Sequence, residues 1–550
     1  MIADLARWQF GITTTTHWMF VMVTLGMVIA VVYLQTRANL TRDPRKRAQL
    51  YKMTRYWGLM YVINYAMGIA SGIILEFQFG TNWSGLTHFV GNVFGAPLAV
   101  ETLVAFVAES TFLALWIFGW GKLPRWAHTT LIWLVAASAY ASAFWVLLAN
   151  GFMHAPDGYD IGSDGAAHLD SVAALLLNGN AWWAFLHVIG AGLAGGGVII
   201  VIVSAVHLYR RSRQRDFFVR SFRLGYVMGF AGMMWTFLTG WAQYGHVVQN
   251  QPGKSLEVMA GGERAVAINA TLTQQFGQGD WLPSGGVFTA FIVMMTIGES
   301  AGPCMLFGLP LLIREWSAKA RWLLPVFWLA LPLPFVAAAA GWMFREMGRQ
   351  PWIVYGLQST QDAVSDISVT SMWTSLIVFS AIGLSLLFTN WWLIGRAAAR
   401  GPEREIFGVL PDGTIPAPED SEFDEELLPE GKRHAGTVLS AAGGRVLRLL
   451  RFGRLRLRGR RASDGRSPHR PRAPHDAIRI GPVLSRQRGV ARRRIGPTDR
   501  GVSDARRCAA VRAVPGSHSA HSHDCHFHRC RAAAQPIRRR PRGMRLDHRR

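Results

Sequence analysis

Cysteine is almost absent from the first 400 residues of this chain. The 550-residue sequence has four cysteines, and only Cys304 precedes residue 401. A disulfide framework is therefore excluded for that part of the chain. Charged residues are also scarce, at 17% against 50% hydrophobic residues, whereas aromatic residues include 22 Trp and 30 Phe. Such a balance is typical of a protein that lies in a lipid bilayer.

The net charge of +24 is unevenly distributed, because the excess of Lys and Arg over Asp and Glu lies mainly beyond residue 400. The basicity therefore says little about the function of residues 1–400, and we expect no nucleic-acid partner. Residues 401–550 form a separate region, whose stretch from about residue 433 onward buries too little apolar surface to offset its ordering entropy. They are predicted to form a basic, disordered cytoplasmic tail that can bind anionic lipid, or to result from translation of a GC-rich gene in a wrong frame.

The tail also holds the stretch "HSAHSHDCHFHRC", with Cys525, Cys530 and several histidines. These residue types are zinc ligands, but their arrangement matches no standard zinc-site spacing.

Apolar stretches of about 20 residues, each long enough to cross a hydrocarbon core of about 30 Å, recur through residues 1–400. Because a lone backbone in lipid satisfies its own polar groups as helices or as a closed barrel, they predict an all-α, polytopic membrane bundle of about nine transmembrane helices. The first stretch begins almost at the N-terminus and continues, so we expect no cleavable signal peptide. The nine predicted spans are 9–34, 54–77, 93–118, 126–150, 184–208, 222–243, 286–312, 322–345 and 371–396.

Loop charges predict the orientation of the bundle. Basic loops such as "YRRSRQRD" follow the odd-numbered spans, whereas residues 151–182, after span four, hold four aspartates and no Lys or Arg. By the positive-inside rule, the N-terminus lies outside and residue 400 inside. The long polar segment 244–283 and the "GRQPW" segment then lie on the outer face.

Ionisable side chains within spans are costly and point to function. Most of those found here lie in the outer half of their spans, together with one methionine that can act as a soft ligand. Imidazole, thioether and carboxylate groups ligate haem iron, so their shared depth favours an iron–porphyrin site. Individually, each can equally be a helix–helix hydrogen-bonding group or a core residue. These residues are His17, Glu101, Glu109, His187, Met294 and Glu346; only Glu109 is predicted to lie deeper.

The stretch "GWMFREMGRQPWIVYG" places charged residues at the outer end of a span. Glu346 follows Trp342 by four residues and precedes Arg349 by three, so a helix presents all three on one side. A carboxylate can ligate iron, and the arginine fork suits a haem propionate. The simpler alternative is that these charges only mark the membrane edge.

The blocks "RWQFGITTTTHWMFVMVTLG", "GNVFGAPLAVETLVAFVAESTFLALWIFGW", "AFLHVIGAG", "QPGK" and "GWMFREMGRQPW" resemble subunit I of the cytochrome bd family of quinol oxidases, over roughly residues 5–400. The resemblance implies three haems, two of type b and one of type d. It implies that His187 and Met294 ligate the low-spin haem b. His17 and Glu346 become the axial ligands of the high-spin pair, and which of them holds haem d stays open.

Further roles follow from the same resemblance. Glu101 and Glu109 resemble catalytic acids near the oxygen-reducing haem and on its proton route, with Ser142 or Asn150 as further polar groups. Trp342 resembles the tryptophan between the high-spin haems, and Arg7 and Arg349 resemble propionate partners.

The implied reaction is oxidation of ubiquinol or menaquinol at the outer face and reduction of O₂ to water with cytoplasmic protons. The resemblance also implies a second membrane subunit of the subunit II type. The implied location is the cytoplasmic membrane of a bacterium, with multiple passes.

The outer segment departs from the family pattern. Lys254 is kept in its expected place, but several charged positions are replaced, and His246 or Glu257 would have to supply the base for quinol oxidation. The replacements are Ala242, Met259, Ile292 and Ala339.

Several functions therefore stay open at this point. They are a divergent quinol oxidase, a bd-like haem oxidase with another electron donor, and an inactive paralogue. A haem-free transporter or channel would use the intramembrane acids for ions. A di-haem cytochrome b that anchors a dehydrogenase would need paired histidines, which the spans do not supply.

Overall fold

The computed structural model describes residues 1–414 and, except at 104–106, their side chains. Three long helices open the chain: α1 (Ile2–Leu40), α2 (Pro44–Thr81) and α3 (Ser84–Thr102). The α2 start follows from its sequence, because Asp43 accepts a hydrogen bond from the Arg45 amide at 2.9 Å and Pro44 occupies the first turn. A π-helical segment, Leu103–Glu109, connects α3 to α4 (Ser110–Phe118).

The next elements return the chain across the bundle: α5 (Arg125–His154), an antiparallel hairpin of β1 (Tyr159–Ile161) and β2 (Ala167–Leu169), and the short α6 (Val172–Leu176). Two long helices follow, α7 (Gly179–Tyr209) and α8 (Arg215–Asn250). The Asn178 side chain caps α7 by accepting a hydrogen bond from the Ala181 amide.

The outer segment after α8 is folded. It contains a 3₁₀ turn (Pro252–Lys254), α9 (Leu256–Met259) and α10 (Glu263–Phe276), and it leads into α11 (Gly285–Leu306).

Beyond α11 the described chain is a series of short elements and two longer helices. In order they are a 3₁₀ turn (Leu309–Leu312), α12 (Trp316–Lys319), a 3₁₀ turn (Arg321–Leu323), α13 (Val326–Leu329), α14 (Leu333–Met347), β3 (Trp352–Val354), β4 (Gln358–Ser359), α15 (Thr360–Ala363) and α16 (Val369–Arg400). The strands β3 and β4 pair in antiparallel fashion.

The prediction of an all-helical membrane bundle is confirmed, with eight helical stretches in the described residues long and apolar enough to span a bilayer. The predicted span 222–243 lies inside α8, which is not one of the eight. The predicted spans 286–312 and 322–345 are both found as candidate membrane spans, Gly285–Leu306 and Arg321–Met347, but regular α-helix ends before the predicted end of the first and is broken within the second. Pro310, Pro325 and Pro332 lie at the breaks, where proline removes a backbone donor and clashes with the preceding turn.

Glycines bring α1, α7 and α8 into close contact. A Cβ on Gly26 would lie 2.0 Å from the Gly192 carbonyl oxygen, and a Cβ on Gly197 would lie 2.4 Å from the Gly229 nitrogen. Any larger residue would therefore push these backbones apart. The close contacts fix α7, which carries His187, against both of its neighbours.

Residues 401–414 continue past α16 and pack on the end of the bundle at which α16 terminates. Phe407 contacts Trp116 edge to face and stacks on Trp120, with ring centroids 5.3 and 6.4 Å away. The buried Arg55 donates to the Leu410 carbonyl oxygen at 3.2 Å. The remainder of the predicted tail, with Cys525 and Cys530, lies outside the described residues.

Candidate functional site

Glu346 is the centre of a polar cluster at the outer end of α14. Its Oε2 accepts from Arg349 Nη2 at 2.7 Å, and its Oε1 accepts from Asn150 Nδ2 at 2.8 Å. His154 Nε2 lies 3.4 Å from the same Oε1. The cluster joins α5 to α14 and brings together Glu346 and Arg349, as their spacing predicts.

Two residues of this cluster were not found by sequence analysis: His154 and Arg345. Arg345 Nε donates to Asn150 Oδ1 at 2.7 Å and lies 4.0 Å from Glu346 Oε1. A charge at the end of a span is indistinguishable in sequence from a membrane-edge residue, and His154 ends α5 just before a loop. The signal that would have found Arg345 is its position next to Glu346.

Both arginines keep buried donors without partners. Arg345 Nη1 and Nη2, and Arg349 Nε and Nη1, are buried and make no hydrogen bond within the described residues. Leaving a buried charged donor unpaired is costly, so these atoms are suited to an anionic group that enters the site. Carboxylates of a haem propionate have this chemistry.

Lys254, which the sequence assigns to the outer quinol segment, is buried beneath this cluster. Its Nζ donates to the Arg345 carbonyl oxygen at 2.7 Å and lies 5.5 Å from the centre of the Phe344 ring. Burial, followed by the charges of Arg345 and Arg349, lowers the pKa of the Lys254 ammonium well below its usual range. The 3₁₀ turn that carries Lys254 is thus fixed to α14.

His187 and Met294 line one cavity of about 170 Å³, as expected for two ligands of one group. Two glycines leave room around these side chains: a Cβ on Gly341 would lie 2.9 Å from Met294 Sδ, and one on Gly240 would lie 3.1 Å from His187 Cε1. Trp342, Lys254 and Arg345 line the same cavity. A histidine, a thioether sulfur and a guanidinium whose two Nη atoms are unpaired within the described residues surround one mainly apolar space, and this combination fits a haem with its propionates.

His17 is oriented by a hydroxyl group. Ser71 Oγ donates to the Gly68 carbonyl oxygen at 2.8 Å, so at its 2.9 Å contact it accepts from His17 Nδ1. This tautomer leaves the lone pair on Nε2, which is the form that binds a metal. The donor set at His17 therefore fits an axial ligand.

Trp342 contacts Trp18 edge to face, with ring centroids 5.8 Å apart. Trp18 follows His17 in α1, and Trp342 precedes Glu346 by one helical turn. The aromatic pair thus links the helices that carry the two predicted high-spin ligands.

Glu101 lies in α3 and Glu109 is the last residue of the π-helical segment, so the two acids do not lie on one uninterrupted α-helix. Ser142 Oγ donates to Glu101 Oε1 at 2.8 Å, and Tyr61 OH donates to Glu109 Oε1 at 3.5 Å. Glu76 of α2 lies close to Glu101 and was missed, because an isolated acid near the end of a span carries no spacing signal. The acids therefore have hydroxyl partners on neighbouring helices.

The structure does not bring Arg7 to this cluster. Arg7 is exposed near the start of α1, and its Nη1 lies 3.4 Å from Asp4 Oδ1. Asn150, suggested for a proton route, instead bridges Glu346 and Arg345.

The outer segment packs beside the Glu346 cluster. Trp281 stacks on Trp352 of β3 with a centroid distance of 5.2 Å, and Phe276 packs against Trp352 at 5.1 Å. A small second cavity of about 10 Å³, lined by Lys254, Arg349 and these aromatic residues, lies there. Glu257 forms an exposed ion pair with Arg264.

Comparison with known proteins settles the family. The family description "Cytochrome bd terminal oxidase subunit I" matches residues 5–272 and 270–402. Cytochrome bd ubiquinol oxidase subunit 1 of Bacillus subtilis (strain 168) is 34% identical over 459 residues, which cover 75% of this chain and 97% of that protein. The chain belongs to the cytochrome bd terminal oxidase subunit I family.

Two further relatives agree with this assignment. Subunit 1 of the cytochrome bd-II ubiquinol oxidase of Escherichia coli (strain K12) is 29% identical, over 73% of this chain and 97% of that protein. The solved bd oxidase from Geobacillus thermodenitrificans has the same fold, with a TM-score of 0.64 and 21% identity over 73% of this chain and 99% of that one.

Membership in the cytochrome bd family supports a multi-pass membrane protein with oxidoreductase activity, haem cofactors and a quinol substrate. The transporter, channel and di-haem cytochrome b alternatives are therefore set aside. The resemblance drawn from the sequence motifs is confirmed.

Proposed function

We propose that this chain is the haem-bearing subunit of a quinol:O₂ oxidoreductase that works with a membrane partner of the subunit II type. The observation that carries the proposal is that His187 and Met294 line the same cavity, which Arg345 with its unpaired Nη donors also lines. When bound, haem would supply the redox chemistry between quinol and O₂.

In this proposal His187 and Met294 hold the low-spin haem b, whereas His17 and Glu346 hold the high-spin pair of one haem b and one haem d. Arg349 neutralises Glu346 from one side and keeps two donors for a propionate. The Trp18–Trp342 pair closes the space between the helices of the two high-spin ligands.

Protons and electrons approach from opposite faces. Glu109 and Glu101 carry cytoplasmic protons outward, with Tyr61 and Ser142 orienting their carboxyl groups. The folded outer segment holds quinol near Lys254 and releases its protons outside. This separation of charge across the membrane conserves energy without a separate pump.

The test uses the holo-complex with its natural partner and records a reduced-minus-oxidised spectrum and quinol-driven oxygen consumption on one sample. Met294→Leu is expected to remove the low-spin haem b signal and leave the high-spin signals. Met295→Leu is the matched control, because Met295 is adjacent and lines the same cavity. If the low-spin signal survives both Met294→Leu and His187→Ala, the proposed ligation is wrong.

Oxygen consumption with ubiquinol and menaquinol analogues tests the donor. Consumption with either one supports the quinol oxidase. If dithionite reduces the haems but neither quinol does, the result favours another electron donor. This alternative is specific because Met259 and Ile292 replace charged residues of the family pattern.

A further inference from the structure

Arg345 is a buried arginine that, within the described residues, shares its nearest carboxylate, Glu346, with Arg349. Arg345 lies at the outer end of α14 and is only 8% exposed. Its Nε donates a hydrogen bond to Asn150 Oδ1 at 2.7 Å. Both Nη atoms are buried and unpaired within the described residues. A single hydrogen bond to a neutral amide leaves most of the cost of burying the guanidinium uncompensated.

The nearest carboxylate, that of Glu346, already has other hydrogen-bond partners. Glu346 accepts from Arg349 and Asn150 and lies near His154, and its closest oxygen is 4.0 Å from Arg345 Nε. The cluster therefore holds two guanidinium groups for one carboxylate. An additional anion is needed to balance it.

The position of Arg345 indicates where that anion enters. Arg345 lines the cavity that contains His187 and Met294, whereas Ile292, two residues before Met294, offers no charge from α11. With Nε held by Asn150, the two Nη atoms remain as a fixed fork, and such a fork binds a carboxylate in a bidentate manner.

We propose that Arg345, oriented by Asn150, binds a propionate carboxylate of the low-spin haem held by His187 and Met294 and raises the midpoint potential of that haem. The inference rests on the proposed function. Arg345 is a positioning residue that acts through charge, because a nearby cation stabilises the more electron-rich, reduced form.

The test is a spectroelectrochemical titration of the low-spin haem in the purified holo-complex. Arg345→Met removes the charge at similar length and is expected to lower the reduced-to-oxidised ratio at fixed potential at least about tenfold, which is about 59 mV for a one-electron couple. Arg345→Lys keeps the charge but not the fork, so a smaller shift of the same sign is expected.

Arg55→Met is the matched control, since Arg55 is also buried but donates to Leu410 at the cytoplasmic end. It is expected to leave the midpoint potential unchanged. A wild-type potential in Arg345→Met overturns the inference. If that variant fails to assemble, Arg345→Gln, which also removes the charge but keeps a polar group at this buried position, takes its place, and a wild-type potential in Arg345→Gln overturns the inference.

The proposed function and the role of Arg345 can be refuted separately. Absence of the low-spin signal from the wild-type complex refutes the proposed function. A normal wild-type signal with an unshifted potential in the variants refutes only the role of Arg345.

Discussion

Asn150 is the neutral link between Glu346 and Arg345, and Asn150→Leu tests that link. The change deletes the 2.8 Å bond to Glu346 Oε1 and the 2.7 Å bond from Arg345 Nε. Hydrogen bonds to charged groups contribute about 1.5–3 kcal/mol each, so the expected loss is about 3–6 kcal/mol. Leucine has a similar volume, so the loss comes from polar groups left unpaired rather than from a cavity.

The assay is the free energy of unfolding of the purified complex in mixed micelles, followed by circular dichroism. Asn390→Leu is the control, because Asn390 is more deeply buried than Asn150 but makes one neutral hydrogen bond, to Asn64 Oδ1 at 3.1 Å. Its expected loss is about 0.5–1.5 kcal/mol. If Asn150→Leu costs no more than Asn390→Leu, the charged cluster is not held together by this residue.

Three further outcomes are expected. Glu101→Gln should lower quinol-driven oxygen consumption by about 100-fold while haem content, measured as the pyridine haemochrome, is retained; a parallel loss of haem would argue for a structural role. Gly197→Leu should lower the melting temperature of the complex, because its Cβ would lie 2.4 Å from the Gly229 nitrogen, whereas Gly395→Leu, with open space around it, should not. Lys254→Met should raise the KM for quinol without changing the low-spin spectrum, and an unchanged KM would remove Lys254 from the donor site.

The helices could be predicted from sequence because apolar length is a local property. The breaks between α11 and α14 were missed, although Pro325 and Pro332 are visible in the sequence. Mean hydropathy is calculated over a window of residues, so one proline inside an apolar stretch lowers the mean too little to mark a break. The π-helical segment between Glu101 and Glu109 carries no such marker, because it depends on how neighbouring helices pack.

Part of the candidate site could also be predicted, because some of its residues have a local sequence signal. His187, Met294 and Glu346 carry recognisable motifs, and the first two line one cavity. The neighbours that set their chemistry come from distant parts of the chain: Asn150 is 196 residues from Glu346. The role of His154 follows only from such contacts, which no spacing rule in the sequence encodes, whereas the position of Arg345 next to Glu346 was a local signal.

The packing of residues 401–414 bears on how the protein should be shortened for laboratory work. A chain cut at residue 400 would keep each candidate membrane helix of the described residues. It would nevertheless remove Phe407 from the indole rings of Trp116 and Trp120, and it would remove the Leu410 carbonyl group that accepts the hydrogen bond from Arg55. The apolar surfaces exposed in this way would face water and would favour aggregation. Expression versions are therefore best ended after residue 414.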